Sequence, residues 1–166
     1  MYKWPVGLLT LLVAAFVLLS YVGVEPSDRR PGTRLAGVEA NPPVSWEIID
    51  DVNEVHVETH PWWGIPFSVT VVIGRDGETL YSPSIYAEPA EFPGTKFWNR
   101  IIEDNPRVRL RVGDQIYAMR LEPARDADEF DRGLEALARK YPFWQQAIDD
   151  PSKRPAMAIL RYSPVH

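Results

Sequence analysis

Two short turns constrain this chain more than any other feature of its sequence. Arg75-Asp76-Gly77-Glu78 separates Phe67 to Ile73 (FSVTVVI) from Thr79 to Tyr86 (TLYSPSIY), and Gly113-Asp114 separates Arg107 to Val112 (RVRLRV) from Gln115 to Glu122 (QIYAMRLE). Such turns between β-rich runs signal hairpins, because a tight turn needs positive φ and Gly adopts it without steric cost. Glu54 to His60 (EVHVETH) alternates Val with polar residues at the period of a half-buried strand, and Ala156 to Tyr162 (AMAILRY) reads as a last strand. Helical signals are few. Lys96 to Glu103 predicts a short helix with Thr95 as N-cap, ending before Asn105-Pro106, and AEPAEFPG before it is a loop by its prolines. Asp126 to Lys140 repeats Phe130, Leu134, Leu137 and Ala138 at helical spacing behind a cap from Asp126 or Asp128. Tyr141-Pro142 interrupts that helix, and Phe143 to Ile148 adds another turn or two. Hairpin-joined strands make an antiparallel sheet, and six of them with few helices suggest a small barrel with helices packed outside. Nothing alternates as βαβ and no glycine-rich phosphate loop is present, which argues against a Rossmann or TIM architecture.

The apolar residues are unevenly spread. Trp4 to Val24 carries no charge at all. At 1.5 Å per residue such a run is about as long as a ~30 Å hydrocarbon core requires, and Trp4 and Tyr21 at its ends suit the two interfaces. A cleaved signal peptide shares the basic start, but its apolar core is roughly 7–15 residues and leads to small residues, whereas this run is longer and ends SYVGVEP. The favoured reading is an uncleaved, single-pass membrane helix that meets the lipid bilayer through residues 4–24. Lys3 flanks one end and Arg29, Arg30 and Arg34 the other, so the side on which the domain lies stays undecided. EPSDRRPGTRLAGVEANPP has no hydrophobic period and reads as a tether. The chain thus divides into an anchor over 1–24, a Pro/Arg-rich tether over 25–43 and a barrel domain over 44–166, the last a size suited to one core.

Composition removes several classes of chemistry. Beyond Arg34, 21 acids face 14 bases, whereas a phosphate-backbone binder needs a basic footprint, so nucleic acid is not an expected partner. The absence of Cys excludes disulfides, thiolate metal sites and a Cys nucleophile. Of the three histidines, His56 and His60 share a strand face about 13 Å apart at ~3.3 Å per residue, too far for one zinc ion, and His166 stands alone at the end. No HExxH or Gly-x-Ser-x-Gly motif occurs. Asp50-Asp51 and Asp149-Asp150 read as solubilising charge.

One stretch carries a resemblance. Trp98-Asn99 on a short helix, Asn105-Pro106-Arg107-Val108, a basic strand with Arg109 and Arg111, a hairpin at Gly113 and an acidic helix ending in Tyr141-Pro142 resemble the split β-barrel flavin-binding superfamily. More narrowly they are similar to the deazaflavin-dependent nitroreductase-like branch of the pyridoxamine-phosphate-oxidase-like folds. The similarity spans roughly Val52 to Tyr162 and is specific from about Lys96 to Trp144. It implies a mainly β (α+β) fold, a six-stranded antiparallel split β-barrel with flanking helices, here preceded by one transmembrane helix. It also implies a deazaflavin coenzyme or FMN as cofactor. Members that bind deazaflavin usually carry a Gly-Arg-x-Ser-Gly-like turn for the phosphate; here His60-Pro61-Trp62-Trp63-Gly64-Ile65-Pro66 has neither Arg nor Ser.

The candidate cofactor-binding residues follow from both lines. Thr95, Lys96 and Arg100 lie near a helix N-terminus, where unpaired N–H groups favour an anion; they are equally read as solvated surface groups. Ser82, Ser84 and Tyr86 share a strand face that either lines a pocket or is wet. Trp62 and Trp63, if extended, point to opposite faces, and with His60 they suit a planar ring system, a barrel plug or a lipid interface. Trp98 and Asn99 come from the resemblance. Arg107, Arg109 and Arg111 project from one side of a strand, as a salt-bridged solvent face or as a basic wall for an acidic tail, an alternative the resemblance raises, with Arg109 taken as a cofactor-binding candidate. The catalytic residues are not named by the sequence and no metal site is expected. The function this supports is a membrane-anchored flavin- or deazaflavin-dependent oxidoreductase, of nitroreductase or quinone-reductase type, in which the cofactor does the hydride chemistry on a quinone-like or nitro-type substrate. The alternative is a non-catalytic envelope binding or scaffold domain that has lost the cofactor site. A homodimer is compatible with either.

Overall fold

The computed structural model describes residues 4–21, 23–86 and 91–165. Positions 87–90 of the expected loop, His166 and the side chains of Trp4 and Tyr21 lie outside the described residues. Eight strands are present: β1 (Val38–Ala40), β2 (Glu54–Thr59), β3 (Phe67–Val72), β4 (Gly74–Asp76), β5 (Thr79–Ile85), β6 (Arg107–Val112), β7 (Gln115–Pro123) and β8 (Met157–Pro164). They form one sheet in the order β3-β2-β6-β7-β8-β5-β4, with β1 paired to β7. Every pairing is antiparallel except β1 with β7. Only Ile73 separates β3 from β4, so the two ends of the path are neighbouring pieces of chain and the sheet curls round on itself. Gly77 and Gly113 both take φ +58°, the backbone their hairpins require.

The six expected strands are all there, and the strand count is corrected by two short additions. β4 lies in the predicted Arg75 to Glu78 turn region, where no apolar alternation announces a strand. Gly74 admits the close packing of the helix over it, since a Cβ there would sit 2.7 Å from the Ala136 carbonyl oxygen. β1 arises from the segment read as a tether. The alternation on β6 turns Val108, Leu110 and Val112 inward, against Val55, Val57 and Leu160.

Helices cover the outside. α2 (Phe97–Asp104) begins one residue later than expected, because Lys96 is extended (φ −75°, ψ 127°) and occupies the N-cap position without a side-chain cap bond; Thr95 is not the cap. α3 (Ala127–Lys140) is capped by Asp126, whose carboxylate accepts from the Glu129 N–H at 2.8 Å. It stops at Tyr141-Pro142, and a 3-10 turn (Pro142–Trp144) leads into α4 (Gln145–Asp149). Leu134, Leu137 and Trp144 pack on Tyr81 and Ile159, forming a second apolar layer outside the sheet.

Residues 24–40 are laid against the barrel rather than strung out. Gly32 and Ser68 exchange backbone hydrogen bonds at 2.9 and 3.0 Å. Leu35 is 2% exposed, and its N–H donates to the Glu58 carboxylate at 2.6 Å. The apolar run is shorter as a helix than as a sequence. α1 (Trp4–Tyr21) has 18 residues, about 27 Å at 1.5 Å each, and Val24 is already bonded to Thr33 Oγ1 at 2.8 Å. Among the described residues no helix is long and apolar enough to cross a membrane, which corrects the expected transmembrane helix. All described side chains of α1 from Gly7 to Leu18 are exposed.

Candidate functional site

The seam of the curled sheet runs between β3 and β5, which pair with β2 and with β4 and β8 instead of with each other. Ser82 Oγ donates across it to the Val72 carbonyl at 2.8 Å. The seam opens into a cleft of about 530 Å3, within the usual range of roughly 300–1,000 Å3 for small-molecule sites. Val69 and Val71 of β3 and Pro83 and Ile85 of β5 give it an aliphatic floor, and Phe97, Trp98 and Trp144 add aromatic surface. Lys96, Arg29 and Arg30 supply three cations and Asp28 one carboxylate. Lys96 is half-buried and has no carboxylate beside it among the described residues; desolvation alone pushes its ammonium below the usual lysine range. Thr70 also lines the cleft, and its buried Oγ1 has no hydrogen-bond partner.

A second hollow of about 460 Å3 adjoins the first through Phe97 and is formed with His60, Trp62, Trp63 and Arg100. Here the tryptophans sit in a turn, closed by the Gly64 N–H donating to the Pro61 carbonyl at 3.1 Å, so they do not face opposite sides. Their rings meet edge to face at 5.8 Å, and Trp63 stacks on Phe97 at 5.6 Å. Trp62 is 90% exposed.

The expected site residues do not all come together. Lys96 and Trp98 line the cleft; His60, Trp62, Trp63 and Arg100 line the adjoining hollow. Ser84, Asn99 and Tyr86 are buried inside. Ser84 Oγ donates to Asn99 Oδ1 at 2.8 Å, and Asn99 Nδ2 donates to the Pro93 carbonyl at 2.8 Å, so the pair locks α2 to β5. Ser82 and Ser84 are thus neither wet nor pocket-lining, because the barrel interior takes that face of β5 and the cleft takes the alternate residues, Pro83 and Ile85.

Arg109 is committed elsewhere. Its guanidinium bonds Glu58 at 2.8 Å and Glu39 at 2.5 Å, and Arg111 bonds Glu25 at 2.6 Å and His56 Nδ1 at 2.7 Å. The strand face read as a basic wall is therefore a clasp holding residues 25–39. Glu58 is fully buried; its Oε1 makes no hydrogen bond, and His60 Nε2 lies 3.3 Å away. Burial lowers the His60 pKa despite that carboxylate, with Arg109 and Arg34 adding to the effect. Sequence reasoning missed Arg29 and Arg30, because a Pro/Arg-rich stretch without period gives no sign of where it docks. It missed Phe97 although that residue lies between two that were named.

Among the described residues no group of three or more His, Cys, Asp or Glu is placed to hold a metal ion. No protein-family model matches the chain, and no curated protein matches it. Solved structures do. The fold is similar to that of a candidate pyridoxamine 5'-phosphate oxidase from Listeria innocua (TM-score 0.52, 17% identity, 72% of this chain and 89% of that one). It is similar too to HutZ, the heme storage protein from Vibrio cholerae (TM-score 0.51, 13% identity, 72% and 87%). An F420-H2-dependent reductase aligns with TM-score 0.49 and 11% identity over 78% of this chain and all of its own. The fold is thus similar to the split barrel of pyridoxamine-phosphate-oxidase-like proteins. At these identities the likeness concerns the fold alone.

Proposed function

We propose that the chain binds a flavin-type cofactor, FMN or a deazaflavin, in the seam cleft, and that it is a membrane-anchored oxidoreductase for a quinone-like or nitro-type acceptor. The observation that carries the reading is Lys96, a half-buried ammonium that makes no ion pair among the described residues, in a cleft walled by Phe97 and Trp98. An anionic tail would give that charge its partner, and planar rings suit the aromatic wall. When bound, such a cofactor supplies hydride transfer, leaving the protein to grip it, orient it and exclude water. Lys96 would hold the tail with Arg29 and Arg30 at the mouth, while Val69, Val71 and Ile85 keep the floor dry. The exposed apolar side chains of α1 favour association with a bilayer.

The second reading, a barrel that serves as an envelope scaffold, is favoured by two observations: the turn at His60 to Pro66 has neither Arg nor Ser, and Arg109 is neutralised by Glu58 and Glu39. Titrating the purified full chain with FMN and with a deazaflavin, followed by fluorescence quenching, separates the two. Binding at tens of micromolar or tighter is expected, well below the ~1 mM regime of weak contacts. Lys96→Ala should weaken it by about 1–3 kcal/mol, the scale of a charge-assisted contact. If neither cofactor binds, the oxidoreductase reading fails and the scaffold reading replaces it.

A further inference from the structure

We propose that the face bearing Trp62, Phe97, Arg29, Arg30, Lys96 and Arg100 docks on an anionic lipid surface beside the point where α1 joins the barrel. A continuous series of contacts links the two. Gly23 lies against the Arg34 carbonyl, and Val24 and Thr33 are joined by Val24 N–H to Thr33 Oγ1 and Thr33 N–H to the Val24 carbonyl, both at 2.8 Å. The next residue back, Gly32, is bonded to Ser68 at the start of β3. Phe67 beside it meets Phe97 at 5.2 Å, Phe97 stacks on Trp63 at 5.6 Å, and Trp63 meets Trp62 at 5.8 Å. The exit of the apolar helix and the exposed tryptophan are therefore the two ends of one series of contacts, backbone hydrogen bonds as far as Ser68 and aromatic rings from Phe67 to Trp62.

Exposure and charge identify the partner. Trp62 is 90% exposed and Phe97 47%, although large aromatics ordinarily find cover, and Trp in particular favours the layer where lipid meets water. Arg29, Arg30 and Arg100 are exposed on the same side and, like Lys96, have no ion pair among the described residues. Among the described residues Asp28 and Asp104 are the acids lining these two hollows, so cations exceed acids there by two on a chain whose overall charge is −5. Each cation held near an anionic bilayer contributes about fivefold to binding. A second copy docked through this face would instead set like charges against each other.

The chain has no cysteine, so a single one can carry a reporter. Trp62→Cys and Val44→Cys, the latter at a position 97% exposed, are labelled with a polarity-sensitive dye in the full chain and reconstituted into vesicles with and without anionic lipid. Nitroxide at the headgroups should quench the label at 62 in anionic vesicles and leave the label at 44 bright. Arg29→Glu with Arg30→Glu should reduce the docked fraction by roughly thirtyfold or more, two cations' worth. Equal quenching at both labels, or equal quenching at 62 in purely zwitterionic vesicles, overturns the proposal. So does shielding at 62 that appears in detergent and grows with protein concentration, which would make the partner a second copy. The label reads docking whether or not a flavin binds, so failure here and failure of the cofactor reading are separate results.

Discussion

Replacing Arg109 with Met tests whether the strand face of β6 is a structural clasp. Glu58 is fully buried and accepts two hydrogen bonds, from the Leu35 N–H at 2.6 Å and from Arg109 Nη1 at 2.8 Å. The methionine leaves that carboxylate inside the protein without its countercharge, and breaking a buried pair this way typically costs about 3–5 kcal/mol. The second bond of Arg109, to Glu39, adds little, because that carboxylate is 65% exposed and solvent screens it. Against a total of roughly 5–15 kcal/mol for an ordinary domain, the expected loss is severe but need not abolish folding. Urea unfolding of the full chain in detergent, followed by tryptophan fluorescence, should show a midpoint lower by roughly 2 M for a slope of about 2 kcal/mol per M. Adding Glu58→Leu should recover part of the loss, since it removes the stranded charge and leaves only the Leu35 N–H unpaired, at about 1–3 kcal/mol. Flavin affinity of the folded Arg109→Met protein should match the parent's, because Arg109 does not line the cleft. A stability within 1 kcal/mol of the parent would refute the clasp, and a flavin affinity lowered alongside unchanged stability would return Arg109 to the cofactor site.

Gly133→Ala offers a contest between two effects: alanine gains up to ~1 kcal/mol of helix propensity over glycine, but its Cβ would lie 2.4 Å from Ile159 Cγ2 and 2.8 Å from Tyr81 Cδ1. Overpacking of about 1–3 kcal/mol should prevail, and a rise in melting temperature would show that the helix can lift. Lys140→Met should destabilise by about 2–4 kcal/mol in chemical denaturation, because the ammonium donates to the carbonyls of Ile49, Val52 and Ile73 and ties the 3-10 turn Glu47–Asp51 to α3. His56 and His60 are both held below the usual histidine pKa by burial, so the unfolded chain takes up protons first as pH falls. Stability should therefore drop as pH falls through about 6.5, ahead of the carboxylate-linked loss near pH 4 and below expected from Glu25, Asp50 and Glu129. His56→Gln with His60→Gln should flatten the first step, and an unchanged profile between pH 7 and 5 would exclude these side chains as its source.

The barrel was legible because its determinants are local. Val55 and Val57, Val108 and Leu110, and the glycines at 77 and 113 each declare a face or a turn within a few residues. The packing of residues 24–40 was not legible, because what holds them is the distant pairing of Glu58, Arg109 and Arg111 with Leu35, Glu39 and Glu25. The site was half legible for a related reason. Period 2 grouped Ser82, Ser84 and Tyr86 correctly, but which face of β5 meets the cleft depends on β3 and β5 not pairing, a tertiary fact. Lys96 was named through its place before α2, and Phe97, which lines both hollows, carried no separate signal.

The docking of residues 24–40 also changes how far the barrel can wander. A free chain of 19 residues, as expected from 25 to 43, would extend up to ~65 Å and let the domain sweep a wide volume around its point of attachment. With Val24 already bonded to Thr33, two residues separate the end of α1 from the barrel, a span of about 7 Å. The mouth of the seam cleft is accordingly kept at a short and nearly constant distance from wherever α1 resides. A reactant sharing that environment would meet the cleft at a high local concentration, whereas one from bulk water would gain nothing from the arrangement.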